Sequence, residues 1–101
     1  MTDPESATGP LAFAASFPPE ERFAATAAEI AARLATGAGC VSPVPEEIRG
    51  AVVAAFREAL AVAGRNGLTI DLTLRTTDGA FDADLTCGRA AVLHCSRPRS
   101  A

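Results

Sequence analysis

The stretch Leu68-Thr69-Ile70-Asp71-Leu72-Thr73-Leu74-Arg75-Thr76-Thr77-Asp78-Gly79-Ala80-Phe81-Asp82-Ala83-Asp84-Leu85-Thr86-Cys87 decides the fold. Leu68, Ile70, Leu72 and Leu74 alternate with Thr69, Asp71, Thr73 and Arg75, which is the period of a strand with one buried face. Phe81, Ala83, Leu85 and Cys87 alternate in the same way with Asp82, Asp84 and Thr86. Between the two runs, Asp78-Gly79 is a hairpin-turn signal. A two-residue turn there sets Leu74 opposite Ala83, Leu72 opposite Leu85 and Ile70 opposite Cys87. On the other face it sets Arg75 opposite Asp82 and Thr73 opposite Asp84. Both faces agree, so the sequence predicts antiparallel strands over 68–75 and 80–87 in that register.

Upstream of the hairpin the period changes to that of helices. Pro19, Glu20 and Glu21 suit a first helical turn, where a missing N–H costs nothing and negative charge meets the positive end of the helix dipole. Phe23, Ala27, Ile30 and Leu34 then recur at helical spacing, with Glu29 and Arg33 paired on the surface four residues apart. Gly37 and Gly39 end this helix. After the rigid Ser42-Pro43-Val44-Pro45 link, Ile48, Val52, Phe56, Leu60 (or Ala59) and Ala63 mark the apolar face of a second helix, closed by Gly64-Arg65-Asn66-Gly67. Phe23, Ile30, Leu34, Val52, Phe56 and Leu60 are expected to share one core with Ile70, Leu72 and Leu85.

The outer segments are less regular. Residues 1–10, with Pro4, Gly9 and Pro10 among small polar residues, read as a flexible leader. Residues 11–17 place Leu11, Phe13, Ala15 and Phe17 on one side of an extended chain that stops at Pro18-Pro19. A further strand over 90–95 follows the Gly88-Arg89 link, and residues 96–101 read as a frayed tail. Two amphipathic helices and an apolar-faced hairpin bury each other most simply as a two-layer α+β sandwich, with both helices on one face of a small antiparallel sheet. One domain over 11–95 is expected.

Composition narrows the function. The chain has 101 residues, 49% of them hydrophobic, but only five aromatics, all Phe, against 23 Ala, so its core is built of small pieces. The formal charge of −3 argues against a general nucleic-acid binder or a polybasic membrane binder. Three cysteines without CxxC spacing do not make a secreted disulfide scaffold. The Ala-rich run is interrupted by Glu29 and Arg33 and is no membrane span. A cytoplasmic protein with reduced thiols is the expectation.

Candidate chemical sites are sparse. His94 is the only histidine. Cys40, Cys87, His94 and Cys95 are the residues a tetrahedral zinc would use, but His94 and Cys95 are neighbours, and a strand points neighbours to opposite faces. The same objection meets a Cys95–His94 nucleophile pair. Cys40 and Cys87 read as small buried apolar residues, with Cys95 the exposed one. Asp71, Asp82, Asp84, Thr73 and Thr86 read as a solvated sheet face. Arg97 and Arg99 read as tail charges without a specific role. No P-loop, GxGxxG, HExxH or GxSxG motif is present. No catalytic residue, cofactor or metal is expected. Leu11, Phe13 and Phe17 need burial, either against the domain itself or on a second chain.

Phe17-Pro18-Pro19-Glu20-Glu21-Arg22-Phe23, Ile30-Ala31-Ala32-Arg33-Leu34-Ala35 and Ala38-Gly39-Cys40 together resemble the opening of bacterial anti-sigma-factor serine kinases, small members of the Bergerat-fold, histidine-kinase-like ATPase superfamily. Residues 47–60 are similar to that family's second helix, and the resemblance extends over residues 11–88. The family's second helix carries a Glu and, four residues on, an Asn that holds Mg²⁺. One alignment puts Ala54 at the Glu and Glu58 at the Asn; another puts Glu58 at the Glu and Val62 at the Asn. The Asp-x-Gly that reads adenine is replaced by Thr86-Cys87-Gly88, and the Gly-rich lid has no counterpart. The resemblance and its departures thus imply a pseudoenzyme: a non-enzymatic regulatory or assembly protein, anti-sigma-factor-like, acting on another protein or as a homodimer; the apolar side chains Leu11, Phe13 and Phe17 are the candidates for that contact. The rival readings are a nucleotide-binding anti-sigma kinase with an atypical site and a structural subunit of a larger assembly.

Overall fold

The computed structural model describes residues 12–99. The leader expected over 1–10, Leu11 and residues 100–101 lie outside the described residues. In chain order the elements are β1 (Ala12–Phe17), a 3-10 turn (Glu21–Phe23), α1 (Ala24–Gly37), α2 (Val44–Asn66), β2 (Ile70–Thr77), β3 (Ala80–Cys87) and β4 (Ala90–Pro98). The four strands form one antiparallel sheet in the order β1-β2-β3-β4. The helices, inserted between the two neighbouring strands β1 and β2, cover one face of it. This is the two-layer α+β sandwich the patterns predict.

The β2–β3 register is the expected one: Leu72 faces Leu85, Leu74 faces Ala83, Ile70 faces Cys87 and Arg75 faces Asp82. Ile70, Leu72, Leu74, Phe81, Ala83 and Leu85 are fully buried beneath the helices. At the turn, Gly79 alone takes a left-handed φ of 77°, which Gly adopts without the Cβ clash other residues meet. Gly88 repeats this in the β3–β4 turn at φ 61°. A Cβ there would also stand 2.9 Å from Leu68 Cδ1.

The sheet differs from expectation at its C-terminal edge. β4 does not stop at Cys95: Ser96, Arg97 and Pro98 pair with Asp82, Phe81 and Ala80. The register slips between Leu85 and Thr86, because Leu85 faces Leu93 whereas Thr86 faces Ala91, leaving Val92 as a bulge. Arg99 then binds back into the domain through its Nε to the Ala38 carbonyl (2.7 Å) and its Nη1 to the Thr77 carbonyl (2.8 Å). The segment expected to fray is therefore held as far as residue 99, because β3 is long enough to pair with all of it.

The helices differ in which residues they bury. In α2, Ile48, Val52, Phe56, Ala59 and Ala63 are buried, as their spacing predicts. In α1 the buried face is Ala24, Ala27, Ala28, Ala31, Ala32 and Ala35. Phe23, Ile30 and Leu34, expected in the core, are only partly buried at its margin, as is Leu60 of α2. At about 100° per residue, α1 is turned by roughly a quarter-circle from the orientation its large side chains suggest. Small residues explain the choice: an all-Ala face lets α1 sit close to both α2 and the sheet, which a row of Ile and Leu would hold off.

Candidate protein-interaction surface

β1 is an edge strand, joined to the sheet only through β2. It pairs Phe13 with Leu74, Ala15 with Leu72 and Phe17 with Ile70, so these three side chains share the helix-covered face. Phe17 is 8% exposed and belongs to the core. Its ring lies 6.0 Å from Phe56, edge-on, and 6.1 Å from Phe23, within the range of favourable aromatic pairs. Phe17, one of the three residues considered for partner binding, is thus occupied within its own domain. Phe13 is only half-buried. Leu11 falls outside the described residues.

The Phe17–Phe23 contact orients α1. Ile30 and Leu34 lie on the same side of the helix as Phe23, seven and eleven residues on, so that side is turned toward β1. Phe13, Phe23, Ile30 and Leu34 therefore make a half-buried apolar strip along the β1 margin of the helix layer. The helical spacing of Phe23, Ile30 and Leu34 marks one face. Their size alone suggests the interior, but size and periodicity do not say which flank of a helix the sheet covers. A shallow depression on the outer surface of α1, lined by Ala25, Thr26, Glu29, Ile30 and Arg33, borders the strip.

Ion pairs fix the rest of the helix layer. Glu29 accepts from Arg33 Nε (2.7 Å) on its own helix and from Arg49 Nε (3.2 Å) on α2. The hydrogen bond from Arg33, with the positive charge of both guanidiniums, holds its carboxyl below the ordinary carboxylate range. Arg57 Nε reaches Glu21 at 3.0 Å, and Arg97 Nε reaches Glu47 at 3.4 Å. Arg97, expected to be idle in a tail, thus joins β4 to α2.

On the open face of the sheet, Ser16 donates to Asp71 Oδ1 at 2.6 Å. His94 Nδ1 stands 2.5 Å from Asp84 Oδ1. The hydrogen bond to Asp84 raises the His94 pKa, with the charges of Asp84 and Asp82 adding to it. His94 and Cys95 point to opposite faces, as adjacent strand residues must; Cys95, expected to be exposed, is buried with Cys40 and Cys87. Burial pushes the Cys40 thiol up, and the nearby Arg99 opposes it in part. Among the described residues, no group of three or more His, Cys, Asp or Glu side chains is placed to hold a metal ion.

Ala54 and Glu58 of α2 are exposed, and Val62 is 40% exposed. Spaced four apart, they form one solvent-facing row rather than a lined site. No helix among the described residues is long and apolar enough to cross a membrane. No family model matches the chain, and no curated protein matches it.

Proposed function

We propose that this chain is a non-enzymatic regulatory or assembly protein of the cytoplasm that acts by binding protein, on a reduced fold resembling the anti-sigma kinases. The observation that carries the reading is the strip Phe13, Phe23, Ile30 and Leu34: large apolar side chains only half-buried on one margin, although α1 buries a face made of alanine. Partly exposed apolar groups grouped on one margin, with charged residues alongside, are what a protein-binding surface requires. The position that would hold Mg²⁺ in the resembled family falls on Glu58 or Val62, neither of which supplies the amide oxygen of an Asn. Affinity capture with the full chain tests the reading. A protein retained by the wild type and lost with Ile30→Asp supports it. Identical retention by wild type and Ile30→Asp, with the variant folded, contradicts it.

A further inference from the structure

The β3–β4 hairpin is held unequally along its length. Its far half is fastened several times over: Cys95 is buried, Arg97 reaches Glu47 on α2, and Arg99 grips the carbonyls of Ala38 and Thr77. Its turn half is not. The register slips at Val92, and beyond that bulge only two pairs remain before the Gly88-Arg89 turn, Thr86 with Ala91 and Cys87 with Ala90. A bulge leaves one residue unpaired and breaks the ladder locally. Ala90 and Ala91 are exposed and Val92 is half-buried, so this leg of β4 gains little from burial. Its turn lies against Leu68, itself only half-buried. Segments with few buried contacts are the first to open locally.

His94 stands at the boundary between the two halves. It is the first open-face residue of β4 on the fastened side of the bulge, and Asp84 lies directly opposite it, with Oδ1 2.5 Å from His94 Nδ1. We infer that this pair is a pH-dependent latch: with the imidazole protonated it holds β4 to β3 beside the bulge, and with the imidazole neutral residues 88–93 lift off β3 more often. A hydrogen bond between a charged donor and a carboxylate is roughly twice as strong as a neutral one, so losing the proton weakens the pair without removing it. On β3, Asp84 faces His94 and Asp82 lies two residues away, opposite Ser96; both favour the protonated ring. Arg75 of β2 faces Asp82 rather than His94. The open-face neighbours on β4 itself, Ala91 and Ser96, carry no charge. α2 packs on the other face of the sheet, where its Glu47 is engaged by Arg97. The latch is therefore closed below the ordinary histidine value of 6.5 and loosens as pH rises through the raised one.

Pulsed amide hydrogen exchange on the full chain, read by mass spectrometry and corrected for the intrinsic pH dependence of exchange, tests this. Labelling at about pH 5 and about pH 8.5 brackets the titration of an imidazole. Protection of residues 90–93, taken relative to residues 71–74 in the middle of the sheet, is expected to fall about two- to five-fold at the higher pH, the range of an exposed ion pair. Asp84→Asn and His94→Gln should each abolish the fall, with protection already at its lower level at the acid pH. Both substitutions lie on the solvent-facing side of the sheet, and residues 71–74 report that the variants are folded. Protection of residues 90–93 that is the same at both pH values in the wild type overturns the inference. So does an undiminished fall in Asp84→Asn or in His94→Gln. A fall that extends equally to residues 95–98 overturns it too, because the whole of β4 would then be loosening rather than the leg beyond the bulge.

Discussion

Arg99 Nε donates to the carbonyl oxygen of Ala38 at 2.7 Å, tying the end of the last strand to the end of the first helix. The carbonyls of a last helical turn lack intrahelical partners and carry the negative end of the dipole, so a guanidinium is a suitable cap. The same side chain donates to Thr77 from Nη1, and the Arg99 backbone N–H donates to the Gly79 carbonyl at 3.0 Å. One residue thus closes α1, the β2–β3 turn and β4 together.

Arg99→Ala is expected to lower stability by roughly 1.5–3 kcal/mol, the range for hydrogen bonds made by a charged group. Arg99→Lys should recover only part of this, because an ammonium cannot reproduce the planar fork. Urea denaturation measures both. A loss of under about 0.5 kcal/mol for Arg99→Ala, the scatter of ordinary surface substitutions, would show that the clamp does not hold the domain.

Ala31, fully buried on α1, is where added volume should hurt most. Ala31→Leu is expected to cost about 1–3 kcal/mol by overpacking. Leu34→Ala, at the half-buried margin, should cost less than the roughly 2–5 kcal/mol of a fully buried leucine. Thermal denaturation of the two variants beside Phe56→Ala ranks the sites. If Leu34→Ala matched Phe56→Ala, α1 would be oriented as its large residues suggest and not as described.

These two helix residues mark how far the sequence could be read. Leu72 and Leu85 lie on strands whose period of two leaves only two possible faces, so alternation and one Asp-Gly turn fix the register. Ala31 and Leu34 lie on a helix with apolar residues around much of its circumference. There, periodicity identifies a helix but not its rotation, which close packing against α2 and the sheet decides. Phe13 was legible as a side chain needing cover, whereas the strip it forms with Ile30 and Leu34 depends on that rotation. Arg99 was illegible for another reason: its partners are main-chain carbonyls, which every residue offers and no motif marks.

The Asp84–His94 pair predicts a pH dependence. Asp84 raises the His94 pKa above its ordinary 6.5, so the folded state binds this proton more tightly than the unfolded chain does. The pair's contribution is then fully present below about pH 6.5 and is lost as pH rises through the raised value. The imidazole is well exposed, so the effect is small. NMR titration of the His94 ring should show the raised midpoint in the wild type and a fall toward 6.5 in Asp84→Asn. An unchanged midpoint in the variant would remove Asp84 as the cause.

A chain that binds protein and not nucleotide, as proposed above, should take up no ATP with Mg²⁺. The two ways of laying the resembled family's pattern on α2, Ala54 with Glu58 or Glu58 with Val62, both fall on a solvent-facing row in which a lone carboxylate would meet the phosphates of ATP with like charge. Calorimetric titration of the full chain with ATP and Mg²⁺, with amide shifts recorded alongside, tests this most directly. No saturation is expected within the millimolar range. Saturable binding below about 100 μM on that scale, with shifts centred on α2, would contradict it and restore the nucleotide-binding kinase.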